Sequence, residues 1–371
     1  MPPAVVFYIS GHGFGHAIRQ IAVINALHAL APEVAIVVRT AAPEWLFTRT
    51  ACGASSFVAG ETDTGVVQID SLRPDVRETI RRARAFLDRF GEHVQREAAL
   101  LRAHDATLVL SDAPPLACAA AAAAGVRSVV CANFTWDWIY RDYSEQPGVD
   151  SIVEQIGKVY ETADAGWRLP LGGGFETIDP IIEVPFVARH ARADLSRDQI
   201  RRQLALPGDR PLMLVSFGGY GLHQLPLDRL DCLKEWEVVL TSRGPVDATV
   251  PNGVHVIAEE HLYGSGLRYE DLVHAVDVVL TKPGYGIIAD CVANGTAMLY
   301  TSRGRFAEYE VMVEQMPRYL RCGYLALESF EAGEWSEALR ALRETAPPLV
   351  QWRTDGAEVA ARMIAELISA P

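Results

Sequence analysis

Two histidines four residues apart stand in the segment Ser10-Gly11-His12-Gly13-Phe14-Gly15-His16, directly after an apolar run at Ala4–Ile9. A neutral imidazole in such a place can take a proton near pH 7. The i, i+4 spacing could also hold a metal ion, but no third ligand stands at a recognisable spacing. A dinucleotide fingerprint needs G-x-G-x-x-G and an acidic residue about 20 positions on. Gly11 and Gly13 fit, but His16 occupies the third glycine position, and the next apolar run closes on Val38-Arg39-Thr40 with no acid. Nor is there a G-x-x-x-x-G-K-[ST] phosphate loop anywhere in the chain. The plainer alternative is that both imidazoles only hydrogen-bond the turn.

Asp112 offers the second chemical group, in Leu110-Ser111-Asp112-Ala113-Pro114-Pro115. Its carboxylate could accept from one nitrogen of His16 and leave the other as a base. It could equally cap a helix that starts at Pro114. Later turns carry glycines after apolar runs, Ser216-Phe217-Gly218-Gly219 and Thr281-Lys282-Pro283-Gly284-Tyr285-Gly286. Glycines there expose backbone N–H groups and Lys282 adds a point charge, which suits a diphosphate. Asp290 follows Gly284 by six residues, one and a half helical turns. A further stretch, 133–143, holds Asn133, Trp136, Asp137 and Tyr140. With His12, these aromatic faces and few polar groups suit a sugar or nucleoside-like ring; the alternative is an aromatic plug under a loop.

The elements that must position these groups read as alternating βα units. Continuous apolar runs at 4–9, 34–38, 107–110 and 128–131 have the pattern of strands buried on both faces. Helical spacing follows the first run at Ile18, Ile21, Ile24 and Leu27. A long charged helix is expected over 73–102 and an alanine-rich one over 116–124. The arginines of the charged helix are interleaved with acids, so a solvated face is expected. The stretches 170–174 and 179–185 read as loops. A helix over 196–204, with Ser196 as N-cap, starts a second βα series, with strands at 212–216, 236–240, 254–257, 276–280 and 297–300. The fold class is therefore α/β with two Rossmann-like, doubly wound parallel-sheet domains facing a cleft. The expected division is 1–188 and 189–350, with a helix in 351–371 packing back on the first domain.

Composition bounds the partners. The 371 residues carry 34 basic and 47 acidic side chains, a formal charge of −13. That balance argues against sequence-independent nucleic-acid binding and against docking on anionic lipid. Six cysteines show no C-x-x-C pair, so zinc and redox readings lose their usual signal. Cys118, Cys131 and Cys291 read as small core hydrophobes. The first residues show no basic leader, and no apolar run reaches the ~18 residues of a membrane span. A cytoplasmic protein with no integral membrane contact is expected. Its oligomeric state is left open.

The order of these motifs resembles that of GT-B glycosyltransferases. Gly15-His16-Ala17-Ile18 is similar to the Gly-His loop of plant-type natural-product glycosyltransferases and of the bacterial cell-wall N-acetylglucosaminyl transferase. The resemblance implies His16 as general base and Asp112 as its orienting acid. The segment from Thr281-Lys282-Pro283-Gly284 to Asp290 resembles the plant-type donor signature, and Phe306-Ala307-Glu308-Tyr309 its closing part. It implies donor contacts from Gly13, Gly15, Gly218, Gly219, Lys282, Gly284, Tyr285, Gly286, Asp290, Arg305 and Glu308. By the match, Asp290 takes ribose hydroxyls and Glu308 donor-sugar hydroxyls. A resemblance to the glycosyltransferase-like N-terminal part of plant arabinokinases covers more of the chain. It shows in Ser10–Ala17, in Asn133-Phe134-Thr135-Trp136-Asp137-Trp138-Ile139-Tyr140 and around Lys282–Gly286. What it implies is metal-independent, inverting transfer from a nucleoside-diphosphate sugar, UDP in the plant-type enzymes, to a small-molecule hydroxyl. No cofactor is expected beyond that co-substrate. A GT-B-fold sugar-nucleotide epimerase and a non-catalytic sugar-nucleotide-binding module are the two rivals.

Overall fold

The computed structural model describes residues 2–69, 73–217, 225–242, 250–302 and 306–369. The chain divides into two compact units. Unit 1 comprises Met1–Ala188, Arg305–Val311 and Arg353–Pro371; unit 2 comprises Arg189–Gly304 and Met312–Trp352.

Unit 1 is built on strands β1 (Ala4–Ile9), β2 (Ala35–Thr40), β3 (Ala54–Ala59), β4 (Ala106–Asp112), β5 (Arg127–Phe134), β6 (Ala165–Gly173) and β7 (Ile181–Glu183). They form one parallel sheet in the order β3-β2-β1-β4-β5-β6-β7. All six residues of β1 are buried, which explains its unbroken apolar run: helices cover both faces of its sheet. On one face, Ala117, Ala120 and Ala121 of helix Pro115–Ala124 pack with Val6, Tyr8, Val37 and Val109. Small side chains let that helix approach closely. On the other face, helix Phe14–Leu30 buries Ile21, Ile24 and Leu27 with Ala360, Ala361 and Ile364 of helix Gly356–Ser369. The latter enters beside an antiparallel bridge, Val187 to Asp355. A side chain at Gly356 would sit 2.2 Å from the Pro185 carbonyl oxygen, so the approach requires glycine.

The structure corrects the sequence reading in two places. The charged helix expected over 73–102 is two helices, Val76–Asp88 and Phe90–Ala103, separated at Arg89, whose φ of −111° and ψ of 16° leave the helical region. The stretches read as loops lie largely in strands. β6 runs through Pro170 because its pairing with β5 shifts register between Ala132 and Phe134, a bulge that frees proline from donating to the ladder. β7 occupies Ile181–Glu183 within the second supposed loop.

Unit 2 holds β8 (Leu212–Ser216), β9 (Glu237–Ser242), β10 (Val254–Ala258), β11 (Val278–Thr281), β12 (Ala297–Tyr300) and β13 (Cys322–Tyr324). These too are parallel, in the order β10-β9-β8-β11-β12-β13. Ser196 caps helix Arg197–Gln203 in a reciprocal box with Gln199. Each sheet reverses its winding at one point, between β1 and β4 in unit 1 and between β8 and β11 in unit 2. Crevices at such switch points are where open α/β sheets bind ligands. No helix among the described residues is long and apolar enough to cross a membrane.

A charged network is enclosed in unit 1 beside β1 and β2. Arg39 near the end of β2 donates from Nε and Nη2 to both oxygens of Glu97, at 2.9 and 2.8 Å. The Tyr8 hydroxyl donates to the same carboxylate at 3.2 Å. The buried Cys118 and Cys131 thiols are pushed up to about 12 by their apolar surroundings, which leaves them unreactive core groups.

Candidate active site

The site in unit 1 starts from a strand register. In the parallel pairing of β1 with β4, Ile9 stands opposite Asp112. The loop after β1 and the Asp112 carboxylate therefore share the C-terminal edge of the sheet, at its switch point. Gly11 lies so close to Ala41 that an added Cβ would come within 2.9 Å of that side chain. Gly13, with φ of 77°, turns the chain into helix Phe14–Leu30. Among the described residues, nothing lies within 4 Å of where a side chain at Gly13 or Gly15 would point. Open space therefore adjoins the backbone at the start of this helix.

His16, on the first turn, places Nδ1 3.2 Å from Asp112 Oδ2. Asp112 does not cap the next helix. Pro114 holds the N-cap position there without a side-chain cap bond, and Ala113 is held at φ of 74° with its carbonyl accepting from the Tyr160 hydroxyl. Burial pushes the Asp112 carboxyl up, but Arg19 and His16 beside it more than reverse this and hold it below the usual carboxylate range. No hydrogen-bond partner of His16 Nε2 is found among the described residues.

Arg19 is the group that sequence reasoning missed. Its Nη2 donates to Asp112 Oδ1, its Nη1 donates to Asn133 Oδ1, and Nη2 lies 3.2 Å from His16 Nδ1. It is buried on the helix face that also buries Gln20, Val23, Ile24 and Leu27. A cation on a core-facing stripe, three residues after His16, was the available signal: such a charge requires a partner.

A second missed residue is Asp63, in a segment with no periodicity to mark it. The stretch from Thr62 to Val67 lies across the histidine loop. The Trp136 indole N–H donates to Asp63 at 2.8 Å, and Val66 N–H donates to His12 Nδ1 at 3.3 Å. A Cβ on Gly65 would come within 2.8 Å of His12 Cβ. The Tyr140 hydroxyl donates to the Gly65 carbonyl at 2.9 Å. Trp136, Asp137, Tyr140 and Asn133 are all buried. The Trp136 ring meets His12 edge-on at 5.7 Å, and Asn133 serves Arg19. Asp63, Thr64, Phe86, Phe90, Trp136 and Tyr140 border a small open depression with room for about one water molecule.

Burial pushes the Asp63 carboxyl up to about 6, against the pull of Ser10, Trp136 and His16. A carboxyl raised on folding binds its proton more tightly in the native state, so its contribution to stability falls as pH rises from about 4 to 6. Asp63→Asn removes that dependence. Denaturant unfolding should show the variant level with the parent near pH 4 and about 1–2 kcal/mol more stable above pH 7, allowing for partial solvent screening. A difference of the same size at both pH values would refute the assignment.

In unit 2, Thr281 at the end of β11 pairs with Ser216 at the end of β8, which puts the turn 282–284 at the second switch point. Gly284 precedes helix Tyr285–Asn294, and no side chain caps it. Among the described residues, side chains at Gly284 and Gly286 would meet nothing closer than 4.0 Å. No described residue therefore crowds the first amides of this helix, and Lys282 is only partly buried beside them. Asp290 lies deeper. Its Oδ1 accepts from the Arg189 backbone N–H at 3.0 Å and its Oδ2 accepts from the same guanidinium. To reach a ribose it would first have to leave Arg189. Glu308 is buried, in the segment 305–311 that groups with unit 1. Gly218, Gly219 and Arg305 lie outside the described residues.

No family model matches the chain. It is similar to the glycotransferase of kitacinnamycin, with a TM-score of 0.64 and 18% identity over 99% of both chains. It is similar to the glycosyltransferase SnogD from Streptomyces nogalater, with a TM-score of 0.57 and 20% identity over 99% of this chain and 100% of the other. For a UDP-glucosyltransferase from Polygonum tinctorium the values are 0.62 and 12%, over 100% and 99%. These alignments run along nearly the whole length of each chain. The chain has the GT-B fold. In sequence, this GT-B chain is similar to L-arabinokinase of Arabidopsis thaliana, with 29% identity over 97% of the chain and 34% of that relative. It thus spans about a third of that protein's length.

Proposed function

We propose that this chain moves a sugar from a nucleoside-diphosphate sugar to a hydroxyl of a small molecule, without a metal ion and with inversion. The observation that carries the reading is the His16–Asp112 pair, placed by the β1–β4 register at the switch point of unit 1. Unit 1 would hold the acceptor and unit 2 the nucleotide. With Nδ1 donating to Asp112, Nε2 of His16 is left to take the acceptor proton as the acceptor oxygen attacks the anomeric carbon. The bond from the anomeric carbon to the diphosphate oxygen breaks as the new one forms, and its electron pair leaves with the nucleoside diphosphate. Lys282 and the uncapped amides before helix Tyr285–Asn294 are the groups suited to its developing charge. The GT-B fold of the glycosyltransferases described above supports the assignment.

A thermal-shift screen with nucleoside diphosphates tests it first, because a ligand held only by the native state adds about 2.7 kcal/mol at a hundredfold excess over Kd. If no nucleoside diphosphate or nucleotide sugar stabilises the protein, the reading fails. Lys282→Met should lower turnover at saturating donor more than it lowers donor affinity, since the charge it meets grows as the bond breaks. Glu308→Ala should weaken the nucleotide sugar and leave the bare diphosphate nearly unchanged. Calorimetry giving equal losses for both ligands would remove Glu308 from the sugar.

One observation favours a second reading, a non-catalytic sugar-nucleotide-binding module. Arg19 Nη2 lies as close to His16 Nδ1 as Asp112 does. If the guanidinium donates to that nitrogen, a neutral ring carries its proton on Nε2 and cannot act as a base.

A further inference from the structure

We infer that residues 61–66 form a lid over His12, Trp136 and Tyr140, latched to the Trp136 indole by Asp63, which opens to yield this surface to the ring of an acceptor. The inference rests on the reading of unit 1 as the acceptor's unit and deepens it.

The lid is fixed at its ends and held weakly between them. Gly60 N–H donates to the Thr40 carbonyl at 2.9 Å, and a Cβ on Gly60 would fall 2.3 Å from the Arg39 guanidinium. At the other end, Val67 N–H donates to Thr79 Oγ1 at 2.9 Å, and the Val67 carbonyl accepts from Asp75 N–H at 2.7 Å. Among the described residues, no backbone-to-backbone hydrogen bond holds 61–66. Each contact there involves a side chain: Thr62 Oγ1 to the Ile9 carbonyl at 3.5 Å, the indole to Asp63, the Tyr140 hydroxyl to Thr64 and Gly65, and Val66 N–H to His12. Segments held in this way open at a lower free energy than the sheet they cover.

The surface beneath is a wall of rings on the same sheet edge as His16. Trp136 stacks on Tyr140 at 5.6 Å, and His12 meets Trp136 edge-on. Three polar atoms of the wall are met by the lid: the indole N–H by a carboxyl, the Tyr140 hydroxyl by a carbonyl, and the His12 nitrogen by an N–H. Hydroxyls on a ring can both donate and accept, so such a ligand could replace these bonds and leave no buried group unpaired. This accounts for a ligand-like composition at residues that are buried when the lid is closed.

The latch is a carboxyl enclosed without a cation bonded to it. Ser10 and Trp136 donate to Asp63, and His16 of helix Phe14–Leu30 and Asp112 at the end of β4 face it. Tyr140 and Tyr160 face it from helices Trp136–Arg141 and Val149–Tyr160. Arg19 is bonded to Asp112 instead. Burial outweighs the favourable contacts and pushes the Asp63 carboxyl up. Opening returns it to water, so the closed lid binds the proton more tightly. Closure is therefore strongest below about pH 4 and weakens as pH rises to about 6. Protonation of His12 acts the opposite way, because it removes the acceptor for Val66 N–H.

The experiment is hydrogen exchange of the full chain without substrate, read by mass for 61–66 and by NMR for the Trp136 indole, whose signal Trp136→Phe identifies. Rates are divided by those of an unstructured chain at each pH. Comparison with Asp63→Asn cancels His12 and every other group that the two proteins share. Near pH 4 the two should open alike. At about pH 7.5 the parent should open about tenfold or more often than the variant, at the lid and the indole together, while β1 stays protected in both. Asp63→Ser removes the same titration and takes its place if Asp63→Asn does not fold. The inference is overturned if the lid exchanges no faster than β1, if the indole does not follow the lid, or if parent and variant differ equally at both pH values. The readout needs no transfer reaction. A responsive lid in a protein without transferase activity defeats the proposed function alone, and an active transferase whose lid fails these tests defeats the lid alone.

Discussion

His16→Ala is expected to lower transferase turnover by about 10²–10⁴-fold, the range for loss of a positioned general base. An acceptor hydroxyl is a weak nucleophile until its proton has somewhere to go, and Nε2 is the ring nitrogen not committed to Asp112. Asp112→Asn should cost less, because the base remains while its orientation loosens. The double variant should be little worse than His16→Ala alone, as residues acting as one unit are not additive. Donor binding should survive in all three, since the change is confined to the acceptor side. Initial rates of diphosphate release, with the nucleotide sugar that gives the largest thermal shift and a panel of hydroxyl acceptors, provide the measurement. Near-parental rates in His16→Ala would end the base assignment. His12 would be the next residue to test, although its Nδ1 already accepts from Val66 N–H, which places the proton of a neutral ring on Nε2.

The largest expected loss of stability is at Arg39. In Arg39→Met the Glu97 carboxylate keeps the Tyr8 hydroxyl and a contact to Arg96 Nε at 3.3 Å, but loses the paired guanidinium that shares its burial. Removing one partner of a buried ion pair typically costs about 3–5 kcal/mol. For a unit of this size that corresponds to a melting temperature lower by roughly 10 °C. Arg39→Met combined with Glu97→Gln should recover part of the loss, because the stranded charge is then gone. The sign of the pH dependence follows from Glu97. Burial pushes its carboxyl up, Arg39 and Arg96 more than offset this, and the net result lies below the usual value. A depressed carboxyl adds stability above its unfolded value of about 4.3, and that stability is lost as pH falls through the folded value. The gap between parent and Arg39→Met should therefore close on acidification below about pH 4. A gap under 1 kcal/mol at pH 7 would show that the pair contributes no more than an exposed one.

Arg39 also illustrates how much a sequence can report. It stands where a dinucleotide-binding chain carries an acid, and on that ground the sequence argues against such binding. The partner of Arg39 is 58 residues away, and nothing local announces it.

What the amino-acid order determined by itself is the part of the protein that burial dictates. Continuous apolar runs marked β1, β4, β5 and the central strands of unit 2, since strands covered on both faces have no polar alternation. The Gly-His turn, Asp112 after a later strand and Ser196 as an N-cap were legible because each is a short-range pattern, although for Asp112 the pattern suited a helix cap as well as a partner for His16. The tertiary structure alone decided the partners. That Asp112 faces His16 depends on β4 lying beside β1 in a particular register, which linear order does not specify. The bulge in β6 turned a proline-glycine stretch from apparent loop into strand and put a carbonyl in front of Asn133. Trp136 and Tyr140 have the composition of a ligand surface, yet they are buried against the segment from Thr62 to Val67. Asp290 sits at the expected helical position, yet its carboxylate is bound to Arg189. Periodicity reports which face of an element is buried, because the hydrophobic effect is non-directional and roughly additive along the chain. Hydrogen bonds and ion pairs are directional and act over a few ångströms, so their outcome waits until folding has chosen the neighbours.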